Sequence, residues 1–102
     1  MIYYKPEAIN ELADLYFKLL LGYQMDGNRS FDYVADILFD FHRKLHSIVR
    51  FKCQYKTHRR YGCYEVDTKR NRTTWYAIYD IEGDDFYVNK IMTNYNTING
   101  IF

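Results

Sequence analysis

The stretch that decides the fold is RNRTTWYAIYDIEGDDFYVNKIMTNY, residues 70–95. It contains two runs of β-branched and aromatic residues, 73–81 and 86–92, on either side of Glu-Gly-Asp-Asp at 82–85. Because such residues favour strands and Gly and Asp favour turns, the stretch predicts a β-hairpin. The first run has apolar residues at both odd and even positions, which is typical of a strand covered on both faces. We therefore expect an antiparallel hairpin at the middle of a small sheet.

The first half of the chain has the periodicity of helices. Residues 1–5 favour a short strand, and Pro6 suits the first turn of a helix. Apolar residues recur at helical spacing over 9–22 and again over 31–48, with Ser30 as the expected N-cap of the second helix. The prediction is an α+β fold, with an N-terminal helical hairpin packed on a small, mainly antiparallel twisted sheet in the order β-α-α-β-β-β.

The length of 102 residues predicts one domain, 1–102. The sequence has no apolar run long enough to span a membrane, and its first residues lack the pattern of a signal peptide. A cytoplasmic protein with no membrane partner is therefore expected. Two cysteines, Cys53 and Cys63, lack CxxC spacing and favour ordinary reduced thiols.

Three groups of metal-ligating residue types have simpler explanations. His42 and His46 lie one helical turn apart, but Arg and Lys stand between them and oppose metal binding. Asp32, Asp36 and Asp40 predict a solvated helix face. The acidic residues at 80–85 fit turn geometry and solubility better than catalysis. We predict no metal site and no other cofactor.

Charge is segregated along the chain although the formal net charge is only +1. Residues 1–40 carry three basic and seven acidic groups, residues 41–72 carry ten basic and two acidic groups, and residues 73–102 carry one basic and four acidic groups. A central block this basic indicates a polyanion or an acidic partner, whereas a solvated basic edge without a partner is the alternative. Twelve Tyr and seven Phe add rings on which bases could stack.

The basic residues fall into two groups on either side of a predicted strand near 61–67. The candidate contacts to RNA phosphates are Lys52, Lys56, His58, Arg59, Arg60, Lys69, Arg70 and Arg72. His58 is the one histidine of the block and could transfer a proton, although a simple loop histidine is the alternative.

Four motifs carry a resemblance to a known family. They are KPEA at 5–8, RYGCYEV at 60–66, RTTWYAIY at 72–79 and VNKIMTNY at 88–95. In this order, and over nearly the whole chain, they resemble the bacterial toxins of the RelE/ParE superfamily, the toxin components of type II toxin-antitoxin modules.

The resemblance implies one of two activities and a cognate antitoxin. Members of the RelE type cleave messenger RNA on the ribosome, and members of the ParE type inhibit DNA gyrase without a nuclease site. For the first activity, the matching positions are Lys52, Lys56 and Arg59 or Arg60, with Arg72 entering the third strand and Tyr95 ending the fourth. As implied catalytic residues, Arg72 and Arg60 supply charge and Tyr95 assists proton transfer.

The chain departs from the nuclease pattern after the fourth strand, where Asn94-Tyr95-Asn96 replaces the usual basic residue or histidine. Tyr95 would need neighbouring cations to act as an acid or base, and a packed or surface aromatic is the alternative. A gyrase-binding or other non-catalytic toxin and a nucleic-acid-binding module without toxicity both remain open. The hairpin places Arg72 and Tyr95 at the same end of the sheet, so the nuclease hypothesis requires their side chains to share a face.

Overall fold

The computed structural model describes residues 1–22, 26–47, 50–70 and 72–94. Its helices and strands follow the predicted order, with two additional short elements in the basic block. In chain order the elements are β1 (Ile2–Tyr4), α1 (Pro6–Phe17), a π-helical turn (Lys18–Gly22), α2 (Gly27–Leu45), β2 (Phe51–Lys52), α3 (Lys56–Arg59), β3 (Tyr64–Arg70), β4 (Thr73–Glu82) and β5 (Asp85–Thr93).

The five strands form one sheet in the order β1-β5-β4-β3-β2. The α+β prediction is confirmed, with the helices preceding the hairpin strands. The sheet is mixed, because β1 runs parallel to β5 while the other three neighbouring pairs are antiparallel. The additional elements, β2 and α3, lie where the sequence predicted a loop or irregular strand.

The predicted hairpin consists of β4 and β5, and β4 is the middle strand of the sheet. Gly83 turns the chain between them with φ of 59°, a conformation that glycine adopts without strain. Both faces of β4 are covered, as its pattern predicted. Ala77 and Tyr79 belong to the main core with the helices, whereas Ile78 packs with Cys53 and Met92 on the other face.

The second helix begins earlier than the sequence predicted. Asp26 is the N-cap of α2, and its carboxylate accepts a hydrogen bond of 2.8 Å from the backbone N–H of Arg29. Ser30, the expected cap, is a buried residue inside the helix. An aspartate in extended conformation one residue before the helix satisfies the unpaired N–H groups of the first turn and therefore displaces Ser30 from that role.

The main core joins both helices to one face of the sheet. Its buried members are Ala8, Leu12, Ile37, Phe41, Leu45, Val66, Ala77, Tyr79, Val88 and Ile91. None of the helices in the described parts of the chain has the length and apolar character needed to cross a bilayer.

Candidate nucleic-acid interface

The opposite face of the sheet is covered by residues 53–63, which we call the basic loop. It connects β2 to β3, includes α3 and contains three Lys or Arg residues and no acidic residue. Thr57 and His58 of α3 are buried, and Cys53 packs on Ile78 and Met92. The loop is therefore held by its own buried side chains against the sheet.

A buried contact between a histidine and a carboxylate anchors the centre of the basic loop. His58 has no exposed surface, and its Nδ1 lies 2.5 Å from Oε2 of Glu65 in β3. The imidazole also packs on the rings of Tyr55 and Tyr76, with centroids 5.0 Å and 4.6 Å away. Burial raises the pKa of Tyr76 to about 12. His58 therefore lies inside the fold, not on the RNA-facing surface where the sequence predicted it.

A second anchor holds the C-terminal end of the loop. Asp80 of β4 accepts a hydrogen bond of 3.0 Å from the backbone N–H of Cys63. Its other carboxylate oxygen accepts one of 3.0 Å from the side chain of Asn89, which also donates to the carbonyl oxygen of Tyr61. The sequence grouped Asp80 with the acidic residues of the hairpin turn. The structure instead shows that Asp80 holds the basic loop. The missed signal was a carboxylate inside a strand covered on both faces, which requires polar partners.

Gly62 allows the loop to approach β4 at this anchor. A Cβ atom at position 62 would lie 2.9 Å from the carbonyl oxygen of Tyr79 and 3.1 Å from a side-chain carbon of Ile78. The first of these contacts involves backbone, which cannot rotate away. A larger residue would therefore have to lift the loop from the sheet.

The cations of this region face outwards. Lys52, Lys56, Arg59 and Arg60 are all exposed. They are accompanied by the exposed rings of Phe51, Tyr55 and Tyr61. We call these seven residues the basic surface. Cations that neutralise phosphates beside rings that stack on bases are the combination found in proteins that bind single-stranded nucleic acid.

Two clefts border the basic surface. Lys52 and Arg59 line a cleft of about 580 Å³ together with the start of β3 and Asp80. Arg60 lines a smaller cleft of about 230 Å³ with Lys5 and Lys90. The guanidinium group of Arg59 donates a hydrogen bond of 3.1 Å to the carbonyl oxygen of Gln54 within the loop. The structure thus gathers four of the predicted contacts around one loop.

The second group of cations lies at the turn between β3 and β4. Lys69 and Arg72 are exposed there. Arg70 instead makes a 2.8 Å ion pair with Asp40 of α2, and Thr68 donates a 2.8 Å hydrogen bond to the same carboxylate. These hydrogen bonds lower the pKa of Asp40 to about 2. Arg70 therefore ties the sheet to α2, and Asp40 is its partner, not part of the solvated face that the sequence predicted.

The structure does not bring the predicted catalytic residues Arg60 and Arg72 together. Arg60 lies beside Lys90, which is opposite Ile78 in β4, whereas Arg72 precedes Thr73. Five residues along a strand span about 17 Å. Arg60 consequently lies near the middle of β4 and Arg72 at the start of it, and the structure separates the two positions along the sheet.

The third predicted catalytic residue, Tyr95, lies outside the described residues. The described end of β5 is adjacent to the start of β4, because Thr93 is opposite Trp75. The side-chain oxygen of Asn94 also accepts a 3.1 Å hydrogen bond from the backbone N–H of Thr74. The proximity of Arg72 and Tyr95 stays a prediction.

Within residues 1–22, 26–47, 50–70 and 72–94, no three His, Cys, Asp or Glu side chains are grouped so that they could hold a metal ion. Comparisons with protein-family models, with curated proteins and with solved structures found no match for this chain.

Proposed function

We propose that this protein is a cytoplasmic toxin of the RelE/ParE type that binds RNA through the basic surface and cleaves messenger RNA on the ribosome. The observation that carries the proposal is the construction of the basic loop. Its buried His58 and the Asp80 anchor fix the loop on the sheet, while Lys52, Lys56 and Arg59 stay exposed. A loop held at these two points presents the charges to a backbone of phosphates at a reduced ordering cost.

Cleavage is assigned to the other end of the sheet. A 2′-hydroxyl that attacks the neighbouring phosphate builds negative charge on the phosphoryl oxygens, and a positioned cation stabilises that charge. Arg72 has this role because a guanidinium stays protonated and donates several hydrogen bonds. Tyr95 is the residue proposed for proton transfer, and Lys69 holds the adjacent phosphate. On this proposal, the four cations near the basic loop bind RNA some distance from the cleaved bond.

A second candidate function is binding without catalysis, with DNA gyrase, an antitoxin or a nucleic acid as the target. Two observations favour it. His58 is buried against Glu65, and Arg60 is separated from Arg72 along the sheet. The described residues therefore bring together fewer catalytic groups than the sequence predicted. A binding protein needs only the basic surface.

A cognate antitoxin is the proposed protein partner. The outer edge of β3 is proposed as its binding site, because among the described residues β2 pairs with Tyr64 and Glu65 alone of the seven residues in this strand. An added strand or helix could cover this edge together with the adjacent basic surface.

Expression of the chain alone tests the proposal. We expect growth arrest and cleavage of ribosome-bound message, both lost in the double variant Arg72→Ala with Tyr95→Ala. Arg29→Ala, which removes an exposed cation at the start of α2, is the matched control and should retain activity. Growth arrest that persists in the double variant without message cleavage would support the non-catalytic candidate. Absence of both arrest and cleavage in the unaltered protein would refute the toxin proposal.

A further inference from the structure

The two cysteines occupy facing positions at the ends of the basic loop. The register that pairs Lys52 with Tyr64 continues by one step, because the backbone N–H of Cys53 donates a 2.9 Å hydrogen bond to the carbonyl oxygen of Cys63. The bond is single, because the backbone N–H of Cys63 donates to Asp80 instead of returning to Cys53. Residues that face each other across antiparallel strands have Cα atoms about 4.5–5.5 Å apart, whether or not they exchange both backbone hydrogen bonds. A disulfide needs a Cα separation of about 4.4–6.8 Å, so this arrangement falls within its range.

The surroundings of the pair also suit thiol chemistry. Both cysteines line the cleft of about 580 Å³, and Cys63 is exposed whereas Cys53 is buried. Lys52 and Arg59 line the same cleft and attract anionic reagents. Asp80 lines it too and keeps its negative charge, so the two cations outnumber the one anion in the cleft.

We propose that Cys53 and Cys63 form a redox modification site, at which an anionic small-molecule disulfide such as oxidised glutathione converts the two thiols into an intramolecular disulfide. The Cys63 thiolate attacks one sulfur of the reagent, a mixed disulfide forms on Cys63, and one glutathione thiolate leaves. Cys53 then loses its proton to solvent and attacks the Cys63 sulfur, and the second glutathione thiolate leaves. Overall, two protein thiols and one glutathione disulfide become one protein disulfide and two glutathione thiols.

Burial raises the pKa of the Cys53 thiol to about 12, which makes the second step the slow one. The mixed disulfide on Cys63 should therefore accumulate briefly before the ring closes. The closed ring spans residues 54–62, which include Lys56, Arg59 and Arg60 of the basic surface. The disulfide does not depend on the proposed function, whereas its consequence for RNA affinity rests on it.

The experiment treats the reduced full chain with oxidised glutathione and follows its mass and its peptide map. We expect a transient glutathione adduct on Cys63, then a protein that has lost two hydrogen atoms and contains a 53–63 cross-link. The melting temperature of the cross-linked form should rise by about 5 °C or more, because closing the loop restricts the unfolded chain. Cys63→Ser should give neither adduct nor cross-link, and Cys53→Ser should stop at the adduct.

Two results would overturn the inference. One is a lasting adduct on Cys63 of the unaltered protein without ring closure, and the other is a dimer cross-linked through Cys63. RNA affinity of the oxidised protein separates the two proposals, with an expected gain of about threefold from the pre-organised loop. If the cross-link forms but neither redox form binds RNA, the proposed function fails and the modification site stands. If RNA binds and no cross-link forms, the modification site fails and the proposed function stands.

Discussion

Replacement of Gly62 by alanine tests how the basic loop is held on the sheet. The added methyl group would lie 2.9 Å from the carbonyl oxygen of Tyr79 and 3.1 Å from its carbonyl carbon. Both atoms belong to the middle strand, so the loop must move and β4 cannot. Overpacking of this kind costs about 1–3 kcal/mol. For a domain of this size, that cost corresponds to a fall in melting temperature of roughly 4–20 °C.

The matched control is Gly27→Ala. A Cβ atom there would lie 3.5 Å from the hydroxyl oxygen of Tyr16, an ordinary contact, and alanine favours the helix by up to about 1 kcal/mol. Thermal unfolding of both variants, followed by circular dichroism, measures the stability change. RNA binding of the folded Gly62→Ala protein should weaken severalfold because the exposed cations lose their fixed positions. Equal melting temperatures and equal RNA affinities for the two variants would refute the argument that close approach at Gly62 positions the loop.

Three further variants test separate contacts. Asp40→Asn should lower the free energy of unfolding by about 1 kcal/mol at neutral pH, after allowance for solvent screening. The pKa of Asp40 is about 2 in the folded protein and higher in the unfolded chain, so the ion pair stabilises the fold above pH 4. Only the unaltered protein should lose this part of its stability as the pH falls towards 2. Asp80→Ala leaves the backbone N–H of the loop without its acceptor and should cost about 1–3 kcal/mol in urea unfolding, an expectation that a wild-type midpoint would contradict. The double variant Lys56→Ala with Arg59→Ala should reduce the slope of log affinity against log salt concentration for single-stranded RNA by about 1.4. Arg29→Ala should leave this slope unchanged. Equal slopes for the unaltered protein, the double variant and Arg29→Ala would exclude the basic surface as the RNA contact.

The sequence predicts the fold well where its pattern is local. The hairpin is identified by the β-branched and aromatic residues of 73–81 and by the turn at Gly83. Apolar residues at both odd and even positions of that run identify β4 as the middle strand of the sheet. The parallel pairing of β1 with β5 joins distant parts of the chain. No local pattern encodes it.

The site is predicted less completely, because charge in the sequence does not reveal which cations are paired. Arg70 and His58 resemble their basic neighbours in the sequence, yet one meets Asp40 from another element and the other is buried against Glu65. Both partners lie on strands or helices whose relative positions only the packed fold defines. Conversely, the exposure of Lys56 and Arg59 could be predicted, because the residues around them lack apolar periodicity.

The assay that tests the central claim most directly is cleavage of a defined message by the purified protein on purified ribosomes. We predict cleavage by the unaltered protein, loss of cleavage with retained RNA binding in Arg72→Ala, and weakening of both in Lys56→Ala with Arg59→Ala. A message that the unaltered protein binds but leaves intact, or that Arg72→Ala cleaves at the unaltered rate, would contradict it.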